Sequence, residues 1–274
     1  PKLKKMIKFG IPFIFATFFY LILEISDRFM LFWMLGPESV GLYSIGYKLG
    51  SISLFMVLAF NLGWQPFYIK LGNKKDSGFI LGNIGTTFIH ILIITWAIVV
   101  FWAPILMRIK FGDNFLIGEE FWVSELIIPI VFLSYLFYAG YIILMPSIFL
   151  LEKQNWTPIF RGTAALFNIC LNVILIQRWG LLGASFATLI AYMIMFFFLY
   201  YKSNKWLKIL CNWHSISKHF MITTIFILIY LTTIQDLFNS IIFTFIYLIL
   251  SIFLYKTFQL SENFRDLVSI FNDE

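Results

Sequence analysis

The sequence predicts an all-α membrane protein, a bundle of about eight transmembrane helices. Hydrophobic residues make up 61% of the 274 residues, charged residues only 12%, and the mean hydropathy is +0.88. A soluble globular domain carries about 25% charged residues, and several apolar runs reach the roughly 20 residues that cross a bilayer. These observations exclude soluble, disordered, collagen-like and disulfide-rich proteins.

Each long apolar run is bounded by charged residues, glycine or proline, which is typical of one membrane-spanning helix. The sixth run opens with the small residues Gly180, Gly183 and Ala184, which predict close helix packing. The candidate helices are 9–35, 39–69, 82–103, 123–147, 158–177, 180–201, 219–235 and 240–257.

The distribution of basic residues predicts the orientation of the chain. If the amino terminus is cytoplasmic, 15 of the 20 Lys and Arg lie on that side, and only Arg108, Lys110 and Arg178 lie on the other. The positive-inside rule therefore predicts that both ends are cytoplasmic. The net charge of +6 is explained by this topology and by attraction to anionic lipid, so nucleic-acid binding is not expected.

Three segments between or after the spans combine apolar and charged residues, which predicts amphipathic helices lying on the membrane surface. The segment 104–122 is expected outside, and the basic segment 203–218 on the cytoplasmic face. The third is the tail after Ser261, with apolar residues every three or four positions.

Motifs for catalysis or cofactor binding are not found in the sequence. His90, His214 and His219 are not spaced as a zinc site, and there is no glycine-rich phosphate loop or G-x-S-x-G motif. Cys170 and Cys211 form no C-x-x-C pair. We therefore expect a protein that is not an enzyme and holds no cofactor or metal.

The beginning of the chain carries two further expectations. It starts at Pro1 instead of methionine, and the basic sequence KLKK leads directly into a full-length span. A secretory signal would have a shorter apolar region of 7–15 residues. We therefore expect no signal peptide and a start within a longer protein.

Ionisable residues inside the first span require an explanation, because each costs roughly 2.5–3.5 kcal/mol on insertion scales. Glu24, Asp27 and Arg28 qualify. Glu24 and Arg28 are four residues apart and share a helix face, so they can form an ion pair. A neutralised structural pair and a functional group of charges both remain open.

Lys48 lies inside the second span without an acidic residue three or four positions away. Ten residues separate it from Glu38, or about 15 Å along a helix. This depth disfavours snorkelling of the side chain to an interface. The two other interpretations are a cation facing a cavity that receives an anionic headgroup, and a pair with Asp27 or Glu24 on the first helix.

Other polar residues in the spans are also candidates for a binding site. Tyr47 shares a helix face with Tyr43, where tyrosine can stack on a sugar, although packing is its ordinary role. Asn168 and Asn172 are four residues apart. Paired amides usually hydrogen-bond across helices for about 0.6 kcal/mol each, and they could also line a cavity.

Four segments carry a resemblance to a known family. They are ISDRFMLFWMLGPESVGLYSIGYKLGSI, FNLGWQPFYIK, LMRIKFGDNF and FNICLNVILIQRWGLLGASFATLIAYMIMFFFLY. In this order, over roughly residues 7–201, the chain resembles the carboxyl-terminal half of Wzx-type bacterial polysaccharide-biosynthesis flippases, in the multidrug/oligosaccharidyl-lipid/polysaccharide exporter superfamily. The spacing S-D-R, then G-x-Y-S-x-x-Y-K, and the run N-x-x-x-N before G-x-x-G-A-S-x-A-T carry most of it.

The resemblance implies a two-lobed exporter of fourteen helices that alternates access across the bacterial inner membrane. The eight helices would be the seventh to the fourteenth, and the missing amino-terminal half would be a partner. The cargo would be an undecaprenyl-diphosphate-linked oligosaccharide for O-antigen or other surface polysaccharide. Membrane lipids, a polysaccharide polymerase and glycosyltransferases are further expected partners.

The resemblance also implies roles for individual residues. Lys48 and Arg28 would meet the diphosphate or acidic sugars, and Asp27 and Glu24 would orient these cations or exchange with a coupling ion. The remaining candidates for contact with the cargo are Tyr47, Asn168 and Asn172.

The predicted organisation is a six-helix lobe at 1–201, a basic loop at 202–218, two final helices at 219–257 and a cytoplasmic tail at 258–274.

Three other functions remain open beside lipid-linked oligosaccharide flipping. They are a cation-coupled multidrug efflux antiporter, a non-transporting scaffold of glycan assembly, and an integral-membrane glycosyltransferase or ligase. The antiporter is expected to have an acidic cavity, and the enzyme a larger extramembrane loop.

Overall fold

The fold is an all-α bundle in a computed structural model that describes residues 2–72, 74, 76–112 and 114–257. For residues 2–6, 8, 9, 111 and 254–257 the description is confined to the backbone. The α-helices are α1 (Lys2–Leu35), α2 (Pro37–Gly50), α3 (Ile52–Leu71), α4 (Ser77–Met107), α5 (Ile128–Leu144), α6 (Pro146–Phe149), α7 (Thr157–Trp206), α8 (Trp213–Leu231) and α9 (Leu237–Thr257).

The long helices follow the predicted apolar runs and confirm the predicted fold class. Within the described residues, six helical stretches are long and apolar enough to cross a membrane, and Leu237–Phe253 is a shorter apolar helix. The six are Gly10–Leu35, Ile52–Leu71, Ser77–Met107, Glu119–Phe149, Gln154–Trp206 and Trp213–Leu231. The stretch Gln154–Trp206 contains two of the predicted spans.

The predicted second span is divided at Ser51, where α2 ends and α3 begins. The backbone N–H of Ser51 donates to Tyr47 O at 2.8 Å, and its hydroxyl donates to Lys48 O at 2.9 Å. Beside it, Gly50 lies so close to α5 that a Cβ there would come within 2.7 Å of Val131 Cβ. The small residue at position 50 therefore lets α2 approach α5.

Helix α7 reverses direction at Gly180, as the two predicted spans on either side of it require. Gly180 has φ 54° and ψ −126°, a conformation that residues with a Cβ rarely adopt. Three residues later, a Cβ at Gly183 would overlap the carbonyl of Leu175. The two halves of α7, 157–179 and 181–206, can pack this closely only because position 183 has no side chain.

We expect Gly183→Ala to destabilise the protein by about 1–3 kcal/mol, because the added methyl group overpacks the contact with Leu175. The matched control is Gly63→Ala in α3, where a Cβ would meet no atom within 4 Å and where alanine favours the helix. Thermal unfolding of the purified variants measures both effects. Equal melting temperatures for Gly183→Ala and the wild type would contradict the packing argument.

The predicted external helix at 104–122 is wrong. Strand β1 (Lys110–Phe111) pairs antiparallel with β2 (Asn114–Phe115), and a 3₁₀ helix follows at Glu119–Ile127. Gly112 has φ 65° and so suits the turn between the strands. Arg108 and Glu125 close the base of this hairpin with an ion pair at 3.0 Å, which the pattern of charges did not predict.

The predicted amphipathic segment at 203–218 is not one continuous helix. Helix α7 continues to Trp206, residues 207–212 are non-helical, and α8 begins at Trp213. Leu210 donates its N–H to Gly78 O at 2.9 Å, and burial in this segment raises the pKa of the Cys211 thiol to about 12. Cys211 is therefore protonated and unreactive near neutral pH. The predicted tail helix lies outside the described residues.

The helices form two compact units. Unit 1 contains α1, α2, α3, α5, α6 and α7, and its main packing is that of α1 and α5 against α7. Unit 2 contains α4, the hairpin, α8 and α9. The predicted domain boundaries at 201/202 and 218/219 stay a prediction, but these contacts group α4 with the last two helices. The reason is aromatic packing, in which Trp96 stacks on Phe220 with ring centroids 5.4 Å apart.

Candidate functional site

The carboxylate of Asp27 lies at the centre of a buried polar cluster in unit 1. Asp27 is 1% exposed and accepts hydrogen bonds from three side chains on α2 and α7. The Tyr43 hydroxyl donates at 2.8 Å, the Thr188 hydroxyl at 2.5 Å, and Asn172 Nδ2 at 2.7 Å. Hydrogen bonds from three neutral donors therefore satisfy this carboxylate.

Glu24 lies one turn before Asp27 on α1 and accepts hydrogen bonds from three tyrosines. Tyr135 Oη is 2.9 Å from Glu24 Oε2, Tyr47 Oη is 3.2 Å from the same oxygen, and the Tyr192 hydroxyl donates to Oε1. The hydroxyls of Tyr47 and Tyr135 are themselves 2.5 Å apart. These tyrosines belong to α2, α5 and α7, so the Glu24 carboxylate joins four helices.

The two asparagines link the cluster across helices, as their spacing predicted. Asn168 accepts a hydrogen bond from Ser26 at 2.6 Å and donates to Thr188 at 3.3 Å. Asn172 donates to Asn168 Oδ1 at 3.1 Å as well as to Asp27. The Oδ1 atom of Asn172 is buried and has no hydrogen-bond partner among the described residues.

The predicted ion pair between Glu24 and Arg28 is wrong. Arg28 Nη1 donates to the backbone oxygen of Glu24 at 2.7 Å, and the guanidinium carbon lies 4.4 Å from the centroid of the Tyr47 ring. The Glu24 carboxylate has tyrosine hydroxyls as its partners instead. Because those partners are far away in the sequence, helix spacing could not reveal them.

The predicted pair of Lys48 with Asp27 or Glu24 is also wrong. The Lys48 side chain is exposed on α2, and it forms no ion pair or hydrogen bond in the part of the chain that the structure describes. Tyr43 and Tyr47 point from the same helix into the cluster. Lys48 therefore lies on a different face of α2 from the carboxylates.

The cluster brings together oxygen atoms of the kinds that bind cations and protons. Within the described residues, Glu24 and Asp27 form no ion pair with a basic side chain. Oxygen atoms of Asp27, Asn168, Asn172 and Thr188 lie close to one another. Carboxylate, amide and hydroxyl oxygens are the ligands of hard cations, so these atoms are the best-placed ligands in unit 1.

Sequence reasoning missed Thr188, Tyr135 and Tyr192, and it placed Tyr43 on the helix face of Tyr47 without naming it as a candidate site residue. Thr188 and Tyr192 are four residues apart on the second half of α7, and Tyr135 lies on α5. Thr188 and Tyr192, polar side chains one turn apart in a largely apolar span, were the pattern in the sequence that could have indicated a site. Their distance from Glu24 and Asp27 in the sequence concealed it.

Unit 2 contains a second buried polar group, formed by two histidines. His90 Nδ1 on α4 lies 2.7 Å from His219 Nδ1 on α8, and His90 Nε2 lies 3.1 Å from the Ser215 hydroxyl. His219 Nε2 is 3.2 Å from the hydroxyl of Tyr247 on α9, which is 2.7 Å from the Thr223 hydroxyl. One continuous set of hydrogen bonds thus ties the three long helices of this unit together.

Together, the helical spans and their buried polar clusters define the class of this protein, a multi-pass α-helical membrane protein. Residues 2–71 match the family model described as Polysaccharide biosynthesis protein. This segment contains Glu24, Asp27, Tyr43 and Tyr47 of the cluster, as well as Lys48. Over α1 to α3 the chain is therefore similar to proteins of polysaccharide biosynthesis. Comparison with curated proteins and with solved structures gave no match.

No group of three or more His, Cys, Asp or Glu that could hold a metal ion occurs among the described residues. The polysaccharide biosynthesis match agrees with a transporter-like, non-enzymatic protein. That the protein is not an enzyme stays a prediction.

Proposed function

We propose that this protein moves a polyprenyl-diphosphate-linked oligosaccharide from the cytoplasmic to the periplasmic leaflet of the bacterial inner membrane. The observation that carries the proposal is the buried carboxylate cluster of unit 1, whose α1 and α2 residues lie in the segment similar to polysaccharide biosynthesis proteins. A purely structural span does not need two carboxylates in its interior.

In this proposal, the cluster couples transport to an ion gradient. Asp27 lies eight residues before the end of α1, which is roughly 12 Å along the helix and well inside a hydrocarbon core about 30 Å thick. A charged carboxylate at that depth is costly, and a bound proton or metal cation would neutralise it. The neighbouring amide and hydroxyl oxygens give such an ion its other ligands.

Lys48 is the proposed contact for the anionic part of the cargo. Its exposed side chain lies near the end of α2, inside the apolar run 39–69, where an ammonium group facing lipid is costly. A diphosphate or an acidic sugar next to it offsets that cost by direct charge pairing. Arg28, Tyr47, Asn168 and Asn172 remain proposed contacts of the same cargo.

Lys48→Ala is the most direct test, because no described residue forms a hydrogen bond or ion pair with the Lys48 side chain. We expect normal protein levels but loss of surface polysaccharide and accumulation of lipid-linked oligosaccharide in the cytoplasmic leaflet. A bacterial strain lacking the chromosomal gene, complemented with each variant, gives these readouts. The control is Lys218→Ala, an exposed lysine on α8, and unchanged export by Lys48→Ala would refute the role of Lys48.

A cation-coupled efflux antiporter is the second candidate, and the structure gives a specific reason for it. The carboxylates are buried among tyrosine rings, with Tyr47 and Tyr135 centroids 6.1 Å apart and Tyr135 and Tyr192 centroids 5.6 Å apart, whereas Lys48 is exposed. Aromatic rings and carboxylates recognise organic cations. Increased sensitivity of the gene deletion to cationic dyes, with normal surface polysaccharide, would favour the antiporter.

The cytoplasmic location of both ends belongs to the same proposal. Its support is the excess of Lys and Arg in the amino-terminal segment and in alternate loops. Fusion of a reporter enzyme active only in the periplasm to each end tests the topology, and activity at either end would contradict it.

A polysaccharide polymerase and glycosyltransferases are the proposed partners, because they would consume and supply the lipid-linked cargo.

A further inference from the structure

Unit 1 contains a second polar site, at the end where α7 begins. Arg161 forms no ion pair with a described carboxylate, and its single hydrogen bond within the described residues is a long one, from Nη1 to Ala16 O at 3.4 Å. The guanidinium carbon lies 5.4 Å from the Tyr20 ring centroid and 5.9 Å from that of Tyr141. An arginine thus lies between aromatic rings, and its buried Nε–H group has no hydrogen-bond partner among the described residues.

Other side chains at this end also lack partners. Among the described residues, eight buried polar side-chain atoms have no hydrogen-bond partner, and four of them belong to this region. They are Arg161 Nε, the hydroxyls of Tyr141 and Thr157, and Gln154 Oε1. Thr157 precedes Arg161 by four residues and shares its helix face. Since buried polar groups are nearly always paired, such a concentration points to a ligand.

The chemistry of the unpaired atoms identifies the class of ligand. Three of the four, on Arg161, Tyr141 and Thr157, can donate a hydrogen bond, and one of the donors is a permanent cation. A guanidinium group presents parallel N–H groups that match the oxygen atoms of a phosphate. The Gln154 oxygen can accept a hydrogen bond from a protonated phosphate oxygen or from bound water.

The surroundings of the site favour a phosphate carried by a lipid. Arg161 is four residues after the start of α7, or about 6 Å along the helix, and so lies near the membrane surface. Trp156 and Trp206 pack edge to face there with centroids 5.6 Å apart, as tryptophans do at the headgroup level. Lys202 Nζ lies 4.1 Å from the Trp156 ring centroid and attracts anions to the same region.

We propose that Arg161, Tyr141 and Thr157 bind the phosphate group of a lipid at this end of unit 1. Two lipids share this chemistry, an anionic phospholipid and a polyprenyl diphosphate. The phosphate site itself stands independently of transport, whereas identifying its occupant with the cargo rests on the proposed function. The competing role is structural, in which Arg161 only fastens α7 to α1 through Ala16.

Direct binding measurements on the purified full chain test this site without any transport step. The probes are inorganic diphosphate, farnesyl diphosphate, and phosphatidylcholine nanodiscs with and without phosphatidylglycerol, followed by tryptophan fluorescence and melting temperature. We expect Arg161→Met to weaken binding of a phosphate probe by roughly 10- to 100-fold, the effect of losing charged hydrogen bonds. The control is Arg178→Met, an exposed arginine near the other end of the same helical segment, which should bind like the wild type.

Tyr141→Phe keeps the test decisive if Arg161→Met does not fold. Among the described residues the Tyr141 hydroxyl has no hydrogen-bond partner of good geometry, so its removal should change the melting temperature without probe little, yet weaken probe binding several-fold. Binding of farnesyl diphosphate alone identifies the diphosphate lipid, and a response only to phosphatidylglycerol identifies bulk phospholipid. Binding of none of the probes by the wild type, or equal binding by the wild type and both variants, would overturn the site and leave a structural arginine with water.

Discussion

Replacing Asp27 with asparagine is expected to reduce polysaccharide export to background while the protein remains folded in the membrane. Asparagine has the same shape, and its oxygen can still accept the hydrogen bond from Asn172 Nδ2. The hydroxyls of Tyr43 and Thr188, which now donate to Asp27, can rotate to accept from the new amide. The structure is therefore retained, but the negative charge that would exchange with a coupling ion is lost.

Export is measured by surface polysaccharide in the deletion strain, with protein levels determined on the same membranes. Asp236→Asn is the matched control, because Asp236 is an exposed carboxylate between α8 and α9. Full export by Asp27→Asn would remove Asp27 from the coupling mechanism. If export is lost, comparing transport driven by a sodium gradient with transport driven by a proton gradient in wild-type vesicles identifies the ion.

Replacing His219 with leucine is expected to destabilise unit 2 by about 2–4 kcal/mol. The substitution removes the hydrogen bond to Tyr247 and leaves His90 Nδ1 without its present partner. A lost hydrogen bond costs about 0.5–1.5 kcal/mol, and a buried polar atom left unsatisfied about 1–3 kcal/mol. Thermal unfolding in detergent measures the change, and His214→Leu, at an exposed position on the same helix, is the control.

A double variant separates the hydrogen-bond effect from general loss of packing. Replacing His90 and His219 together removes both members of the pair, so no imidazole nitrogen is left facing an apolar side chain. We therefore expect the double variant to lose less stability than the sum of the two single variants. Strict additivity would show that His90 and His219 are not coupled through their hydrogen bond, and a melting temperature of His219→Leu equal to the wild type would show that His219 does not stabilise the packing of α4, α8 and α9.

The sequence was sufficient to predict the long helices. Each crossing of the bilayer requires a long apolar run, and charged or small residues separate the runs. It also indicated the turn at Gly180 and the side chains of Glu24, Asp27, Asn168 and Asn172 as unusual. The hairpin at 110–115 could not be predicted from the sequence, because strands of two residues leave no periodic pattern. The grouping of α4 with α8 and α9 could not be predicted either. A helix that is apolar on every side does not reveal which of its faces packs against a neighbour.

The partners of the buried carboxylates could not be predicted for a different reason. Helix spacing reveals neighbours three or four residues apart, which is why Arg28 was assigned to Glu24. The true partners Tyr135 and Tyr192 are separated from Glu24 by 111 and 168 residues. Only the packing of α1 and α5 against α7 brings them together, and that packing depends on the shapes of apolar side chains that all look alike in the sequence.

Because Glu24 accepts hydrogen bonds from tyrosines on three other helices, its protonation would change the hydrogen bonds between those helices and α1. When this carboxylate takes up a proton, it has fewer lone pairs to offer, so at least one tyrosine hydroxyl must turn to a new acceptor. The hydroxyls of Tyr47 and Tyr135 lie 2.5 Å apart, so either of them can turn from the carboxylate to the other. The charge of this single side chain thus decides which hydrogen bonds join α2, α5 and α7 to α1.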